Sequence, residues 1–454
     1  MKSNNLKKTL ILLLLLPALV FGVKKILDLR KGASGVPANI VVDSSAPQGK
    51  IPSNLWQNLS QGGEEPQDMI KPVIGQIRTL QPKLIRVDHL FDYYQVYQGP
   101  NNYDFSKLDG VVQSILLTGA KPMLSISYTT ADMAENGQNA GAPKDWNQWY
   151  QLVKATANRY SNEKNISGIY YEVWNEPDLF GGWHYGKNPN YSTLYTQTAK
   201  AIVDGAGQTS YKIGGPAITA YYANWIKALF KTASQNRLPL DFISWHKYSK
   251  NIDDYETDFD NLNKILSDYP QYFNIERIIT EVGPNPEPDP AYDNEFSGIH
   301  LMALSSKMIG KIHRLFTFEP VDGPTSRSDK SSGWGLITHP SKGQKPKPRY
   351  YAIDMLNQLQ GQLLPLTGNG SWVSGIASKN QNTIQVLLVN YDSRSTHAET
   401  FPLTIQGLKP GQYKLTTYQY LGKSSSKTIS VTTNYRENLF LDSNSAVLLE
   451  LSPL

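Results

Sequence analysis

A repeated alternation of strand-like and helix-like segments constrains the fold of this chain more than any other feature. Short apolar, β-branched runs alternate with longer segments whose apolar residues recur at helical spacing. Seven strands are predicted at 84–87, 122–127, 168–173, 211–214, 242–245, 277–280 and 315–318, after an opening strand near 49–51. The predicted helices lie at 69–80, 105–118, 146–161, 191–205, 223–234, 255–268, 297–309 and 349–356. Eight such units over roughly 310 residues fit an α/β fold of the (β/α)8 TIM-barrel type.

A doubly wound parallel sheet is the rival architecture for this pattern. It is disfavoured because no glycine-rich phosphate-binding turn follows the first predicted strand. After residue 360 the apolar period changes to two, with strands predicted at 372–377, 383–389, 413–420 and 446–451. The chain is therefore expected to consist of a barrel over 48–360 and an all-β sandwich domain over 361–454.

The amino terminus reads as a targeting segment. Three lysines precede an apolar run over 10–23, and Lys24 and Lys25 close that run. This is the pattern of a signal peptide, whereas a membrane-spanning helix needs about 20 apolar residues. We predict a signal peptide or a membrane anchor over 1–30, with both readings open, and a secreted or extracytoplasmic protein. A Gly/Ser/Pro-containing linker is expected over 31–47, within which 39–42 could add a strand to either domain.

Composition excludes several classes of chemistry. The chain has no cysteine, which rules out disulfides, a thiol nucleophile and thiolate metal sites. Its 44 Lys and Arg against 39 Asp and Glu are spread along the chain, so no nucleic-acid partner is indicated. No motif indicates a cofactor, a metal ion or a protein partner. A lightly charged chain with 27 Tyr and 9 Trp suits neutral ligands such as carbohydrates.

Two glutamates stand where barrel enzymes carry their chemistry. Glu176 follows the fourth predicted barrel strand and Glu281 ends the seventh. The carboxyl ends of barrel strands form one face, at which active sites are built. One glutamate at such a position is more simply a solvated side chain. A pair of them is what cleavage of a glycosidic bond requires, since one protonates the leaving oxygen while the other attacks carbon or activates water.

Several stretches resemble glycoside hydrolase family 39, which includes β-xylosidases, α-L-iduronidases and exopolysaccharide hydrolases. They lie at 102–109, 117–122, 171–179, 212–217 and 241–248. The resemblance implies that Glu176 is the acid/base, Asn175 the donor to the sugar 2-hydroxyl and Glu281 the nucleophile. It implies a retaining glycosidase that cleaves a poly- or oligosaccharide, and the amino-terminal segment predicts that this enzyme is exported. A catalytically silent polysaccharide-binding protein on the same scaffold is the alternative.

The same resemblance suggests supporting roles for three residues near these carboxylates. Arg86, at the end of the second predicted strand, matches an arginine that braces the nucleophile. His246 and Tyr248 are two residues apart on the sixth strand, so both point into the barrel mouth. Tyr248 is expected to donate to Glu281, and His246 to contact substrate or the acid/base, although it could instead be a core histidine.

Three further residues are candidates for sugar contacts. Trp334 is a candidate stacking platform or a packing residue, and Glu319 would face sugar hydroxyls or form a structural ion pair. The family usually has a histidine two residues after the strand-two arginine, but here that position is Asp88 and His89 follows it. Either the strand is bulged, which would bring His89 to the sugar, or a contact has been replaced.

Overall fold

The computed structural model describes residues 35–324 and 333–454. The predicted targeting segment over 1–30 and the first part of the predicted linker lie outside this range. No helix within these described residues is both long enough and apolar enough to cross a membrane.

Eight parallel strands close into a barrel, which confirms the predicted fold. Strands are numbered along the chain, and β1 (Ile40–Asp43), β4 (Tyr97–Gly99) and β5 (Asn102–Tyr103) lie outside the barrel. The barrel strands are β2 (Asn58–Gln61), β3 (Leu84–Val87), β6 (Lys121–Ile126), β7 (Ile169–Val173), β8 (Tyr211–Ile218), β9 (Phe242–Tyr248), β10 (Glu276–Gly283) and β11 (Arg314–Phe318). They are hydrogen-bonded in chain order, and β11 closes the ring against β2. The carboxyl end of every barrel strand therefore faces the same side of the molecule.

Within residues 35–324 and 333–454, one α-helix follows each barrel strand. The helices are α1 (Ile74–Thr79), α2 (Ser106–Leu117), α3 (Trp146–Ala157), α4 (Tyr191–Gly205), α5 (Ala223–Asn236), α6 (Asp253–Ser267), α7 (Glu295–Met308) and α8 (Pro348–Asn357). Most are amphipathic, with one apolar face against the strands. Between β3 and α2 the chain forms a small hairpin of β4 (Tyr97–Gly99) and β5 (Asn102–Tyr103).

The opening strand of the barrel is not where it was predicted. Residues 49–51 make only an isolated bridge between Lys50 and Gln362, and the first barrel strand is β2. All four residues of β2 are buried, although three of them are polar. Internal partners compensate for their burial, as where Asn58 Nδ2 donates to the carbonyl of Asn54 at 2.6 Å. Such a strand has no apolar run by which a sequence pattern could reveal it.

The second domain packs a four-stranded sheet and a six-stranded sheet around a core of its own. Its carboxyl-terminal strands are β12 (Gln362–Leu364), β13 (Leu366–Thr367), β14 (Val373–Asn380), β15 (Thr383–Asn390), β16 (Glu399–Gln406), β17 (Gly411–Gln419), β18 (Ser424–Val431), β19 (Tyr435–Leu441) and β20 (Ser445–Pro453). The predicted division at residue 360 falls between α8 and β12.

The segment predicted as a linker contains a strand of this second domain. Strand β1 (Ile40–Asp43) lies between β13 and β16, parallel to β16. Ile40 and Val42 are fully buried, since their β-branched side chains fill the core between the two sheets. The strand that the sequence allowed at 39–42 is therefore present and belongs to the sandwich, so the barrel is inserted into the sandwich.

Helix α7 joins the two domains. It is buried on nearly every face because the barrel covers one side and β14, β15 and β20 cover the other. The Ser306 hydroxyl donates to the carbonyl of Gly375 at 2.8 Å. A Cβ at Gly298 would lie 1.9 Å from the Tyr420 hydroxyl of the sandwich, so only glycine permits this approach.

Candidate active site

The backbone after β7 turns sharply where the first glutamate is placed. Glu176 has a left-handed φ of 46°, and its amide donates to the carbonyl of Ala217 at 2.8 Å. The amides of Leu179 and Phe180 both donate to the Glu176 carbonyl, at 2.9 and 2.7 Å. Asp178 accepts from the amide of Thr219 at 3.0 Å, which ties this turn to the loop after β8. The Glu176 side chain is thereby held at the mouth of the barrel.

The second glutamate lies on β10 where the strand is irregular. The pairing of β10 with β9 shifts register between Ile279 and Glu281. Tyr248, near the end of β9, donates its hydroxyl to Glu281 Oε2 at 2.8 Å. Arg86 Nη1 donates to Glu281 Oε1 at 3.2 Å. The predicted contacts of Tyr248 and Arg86 with this carboxylate are both present in the structure.

His246 lies between the two carboxylates. Its Nδ1 atom is 2.9 Å from Glu176 Oε1 and 3.4 Å from Glu281 Oε2. One nitrogen of the imidazole and one oxygen of each carboxylate all lie within 4.8 Å of one another. The side chain is fully buried, and the predicted contact with the acid/base glutamate is present, whereas a contact with substrate stays a prediction.

Arg86 connects three barrel strands from the centre of the site. Its Nε donates to Glu172 Oε2 at 2.5 Å, and its Nη2 donates to Asn175 Oδ1 at 2.6 Å. Asn175 in turn donates its Nδ2 to the Tyr128 hydroxyl at 2.7 Å. The guanidinium is fully buried, so its rigid fork fixes the orientation of both Asn175 and Glu281.

The electrostatics of the site follow from this burial. Removal from water raises the pKa of Glu281 to about 7, against the opposing effects of His246 and Arg86, and the nearby charge of Glu176 adds to the rise. Burial by itself lowers the pKa of His246, but the charge of Glu281 and the contact with Glu176 more than reverse this. The site therefore holds protons up to near neutral pH.

Glu176, His246 and Glu281 form the one group of three metal-type ligands found in the described parts of the chain. Arg86 lies 3.2 Å from Glu281, and a guanidinium at that distance repels a cation. Both oxygens of Glu281 already accept hydrogen bonds. The arrangement is suited to moving protons and to attack by a carboxylate on an electrophilic carbon.

Glu319 is fully buried at the end of β11. Its Oε2 accepts from Gln61 Nε2 at 2.7 Å, so its partner is an amide and not the cation that a structural ion pair would need. Its Oε1 has no partner within the described part of the protein. Burial, with the charges of Glu64 and Asp322, raises the pKa of this carboxyl well above its usual range. A protonated Glu319 can donate as well as accept.

Trp334 is half-buried beside the same strand end. Its ring packs edge-to-face with Phe318, with ring centroids 5.7 Å apart, and Phe318 packs in the same way with Tyr248, with ring centroids 6.3 Å apart. The indole Nε1 has no partner among the described residues. The side chain therefore packs against the wall of the site and keeps a free donor, which is compatible with both roles considered for it.

His89 bonds to Asp92, and within the described residues it makes no hydrogen bond to either glutamate of the pair. The pairing of β3 with both neighbours is regular up to Val87, so the strand is not bulged. His89 has a left-handed φ of 54°, stacks on Tyr93 at 4.0 Å and bonds Asp92 at 2.8 Å. Asp88 is buried at the position where the family usually has histidine, with Oδ1 unpartnered in the described structure. The His89 ring also packs against Tyr128, with ring centroids 4.7 Å apart, so His89 as a sugar contact stays a prediction.

Sequence reasoning missed two residues that complete the site. Glu172 is the buried counter-ion of Arg86, and Tyr128 positions the Asn175 amide. A signal for Glu172 was present, since an acidic residue inside one barrel strand and a basic residue inside another must be paired when both are buried. Tyr128 follows β6 and carries no comparable signal.

A closed (β/α)8 barrel with an Asn-Glu pair after its fourth strand and a glutamate on its seventh defines the class of barrel glycoside hydrolases. A family model described as "Glycosyl hydrolases family 39" matches residues 74–305. The chain belongs to this family, as predicted.

The similar proteins are consistent with this membership. The chain is 27% identical over 297 residues to a β-xylosidase of Geobacillus stearothermophilus, covering 58% of this chain and 57% of that protein. It is 25% identical over 325 residues to a β-xylosidase of Caldicellulosiruptor saccharolyticus, covering 64% of each. The matches thus span less than two thirds of these relatives. A monomeric β-xylosidase from Caulobacter crescentus CB15 has the same fold, with a TM-score of 0.75 at 20% identity over 92% of this chain and 100% of that one.

Proposed function

We propose that the protein is a retaining glycoside hydrolase in which Glu281 is the nucleophile and Glu176 the acid/base. The observation that carries the proposal is the spacing of the carboxylates, which approach within 4.8 Å through one oxygen of each. Retaining glycosidases have carboxyl groups about 5–5.5 Å apart, whereas inverting ones need roughly 6.5–9.5 Å to admit a water. An approach within 4.8 Å supports the retaining arrangement, because it is shorter than the separation that inverting enzymes need.

The reaction would proceed by double displacement. Glu281 attacks the anomeric carbon while Glu176 gives its proton to the leaving oxygen, so the glycosidic bond breaks as the glycosyl-enzyme bond forms. Water then attacks the same carbon and gives its proton to Glu176, which releases the sugar with net retention. Arg86 and Tyr248 stabilise the charge of Glu281 before attack and after release.

His246 and Asn175 would support both steps. The Nδ1 atom of His246 is close to both carboxylates and can pass the proton that must reside on Glu176 before cleavage. Asn175 is fixed by Arg86 and Tyr128, so its amide is already oriented for the sugar 2-hydroxyl when substrate arrives.

The substrate class we propose is a poly- or oligosaccharide, and a β-xyloside is the first probe. Two curated relatives are named β-xylosidase, which supports this choice. Glu319 and Trp334 would contact the sugar, since each keeps an unpartnered polar atom at the ends of the barrel strands. The replacement at Asp88 is a reason to test other sugars alongside xylose.

The test compares the wild-type protein with Glu176→Gln and Glu281→Gln on aryl glycosides and on soluble polysaccharides. Each substitution should lower turnover of the wild type's best substrate by about 10³-fold or more, because each removes a group that reacts. Glu287→Gln, an exposed position close to Glu281 in the chain, is the matched control and should leave turnover unchanged.

NMR of the first product should show retained anomeric configuration. Inverted product would contradict the retaining mechanism. Polysaccharide binding without turnover by the wild type would favour the silent binding protein instead.

We also propose that the protein acts outside the cytoplasm. The proposal is supported by the three lysines and the apolar run over 10–23. Cell fractionation should place the full chain in the secreted or membrane fraction, and Leu13→Arg with Leu14→Arg should retain it inside the cell. A cytoplasmic location of the unmodified chain would contradict the proposal.

A further inference from the structure

The turn after the acid/base glutamate exposes two consecutive large apolar side chains. Leu179 is 60% exposed and Phe180 is 42% exposed. Single exposed apolar residues are ordinary on protein surfaces and need no explanation. Two adjacent ones, three and four residues after a proposed acid/base, place apolar surface beside the reacting bond.

These side chains are exposed on a well-anchored segment. The amides of both residues bond the Glu176 carbonyl, and the Trp174 indole donates to the Phe180 carbonyl at 2.9 Å. Farther along the same loop, Trp183 packs against Trp174 at 5.2 Å and is almost fully buried. The loop thus buries Trp183 against Trp174, whereas the Phe180 ring stays exposed to solvent. The size of the ring does not explain this difference, because the indole that is buried is larger than the phenyl ring that is exposed.

The Phe180 ring is connected directly to the site. It packs edge-to-face with Tyr128, with ring centroids 5.8 Å apart, and the Tyr128 hydroxyl accepts a hydrogen bond from the Asn175 amide at 2.7 Å. A second exposed ring, Tyr222, lies on the loop after β8, which the Asp178–Thr219 hydrogen bond holds against the Glu176 turn. Both loops follow barrel strands at their carboxyl ends, the face on which the two carboxylates lie.

The chemistry determines which part of a substrate meets this surface. An acid/base glutamate protonates the glycosidic oxygen, so the departing group lies on its side of the broken bond. The group that reaches Phe180 is therefore the leaving group and not the sugar that becomes bonded to Glu281.

We propose that Phe180, flanked by Leu179, forms the subsite that binds the leaving group. Its ring stacks on the apolar face of a sugar or on an aromatic leaving group. The inference deepens the proposed function and rests on it. Phe180 is a specificity residue, because it touches the departing part of the substrate and takes no part in bond cleavage.

The test uses two substrates that share a sugar and differ in their leaving group. The leaving group of 4-nitrophenyl β-xyloside is an aromatic ring that can stack on Phe180. The leaving group of β-xylosyl fluoride is a single fluoride ion, which is too small to stack. Phe180→Ala should lower kcat/KM for the nitrophenyl substrate about three- to tenfold, the range expected for one aromatic contact. It should leave kcat/KM for the fluoride within about twofold. Phe180→Tyr should restore the nitrophenyl rate.

The matched control is Phe273→Ala. Phe273 is 62% exposed and lies just before β10, at the amino end of the barrel strands. Phe273→Ala should leave kcat/KM unchanged for both substrates. Equal losses on both substrates with Phe180→Ala, or no loss on either, would overturn the subsite. A wild type that cleaves neither substrate would contradict the β-xyloside activity and, with it, the leaving-group subsite. A wild type that cleaves both would support the proposed function, and the result with Phe180→Ala would then bear on the subsite alone.

Discussion

At the scale of single residues, the burial of Glu281 has a direct consequence for catalysis. A nucleophilic carboxylate must be ionised, but burial raises the pKa of this group to about 7. Activity should therefore fall as the pH decreases below neutrality, at a pH well above the ordinary range of a glutamate. An acid limb near pH 4.5 would contradict this prediction. It would mean that Glu281 is solvated in the working enzyme and keeps the ordinary pKa of a glutamate.

Tyr248→Phe tests the same carboxylate through its hydrogen bond. The hydroxyl lowers the pKa of Glu281, so its loss should move the acid limb of kcat/KM upward by about one pH unit. Tyr150→Phe is a suitable control because that hydroxyl bonds Asp204 away from the site. The pH dependence of kcat/KM for the best aryl glycoside is the measurement. An unchanged limb in Tyr248→Phe would contradict the role given to this hydroxyl.

Glu281→Gln should stabilise the fold while it abolishes turnover. The folded pKa of Glu281 lies above its unfolded value, so its ionisation destabilises the fold increasingly between about pH 4.5 and 7. Removing the charge should raise the free energy of unfolding by up to about 3 kcal/mol at pH 8 and by nothing below pH 4.5. Urea unfolding at pH 8 and pH 4 measures this difference. A variant less stable than the wild type at pH 8 would mean that the pairing with Arg86 outweighs the cost of burial.

At the scale of elements, the cross-barrel pair of Arg86 and Glu172 connects β3 to β7 inside the barrel. Both side chains are fully buried, so loss of one leaves an uncompensated charge. Glu172→Gln should lower the free energy of unfolding by about 3 kcal/mol. Glu163→Gln, which removes a surface partner of Arg159, should change it by less than about 1 kcal/mol. Equal effects in urea unfolding would contradict the structural role of the buried pair.

The elements also show how far sequence patterns reach. Helix α4 was predicted at its observed bounds, and β3 likewise, because their apolar periodicity is strong. Strand β2 was missed, since its buried residues are polar and are paired by contacts that only the closed barrel creates. The two glutamates could be brought together from strand ends, whereas the roles predicted for Arg86, His246 and Tyr248 rested on the family resemblance as well. The left-handed turn at His89 could not be predicted, because a left-handed φ at a non-glycine residue depends on local packing.

At the scale of the whole molecule, strand β1 makes the sandwich depend on the amino-terminal part of the chain. A chain that begins at Gln48 lacks β1, whereas one that begins at Gly35 retains it. The loss of Ile40 and Val42 from the core should cost about 3–6 kcal/mol, at about 1.5–3 kcal/mol for each fully buried side chain. Thermal unfolding of the two truncated chains should therefore differ by several degrees or more. Equal melting temperatures would contradict a structural role for β1.

The placement of β1 also has a consequence for synthesis on the ribosome. The Ala38 amide beside this strand bonds Glu399, a residue 361 positions later. At about 5–20 residues per second, β1 would wait about 20–70 s after its own translation before that partner exists. The barrel can close during this interval, but the sandwich cannot. Nascent chains should thus carry a folded barrel together with an unpaired, aggregation-prone β-strand, the kind of segment that chaperones shield until translation ends.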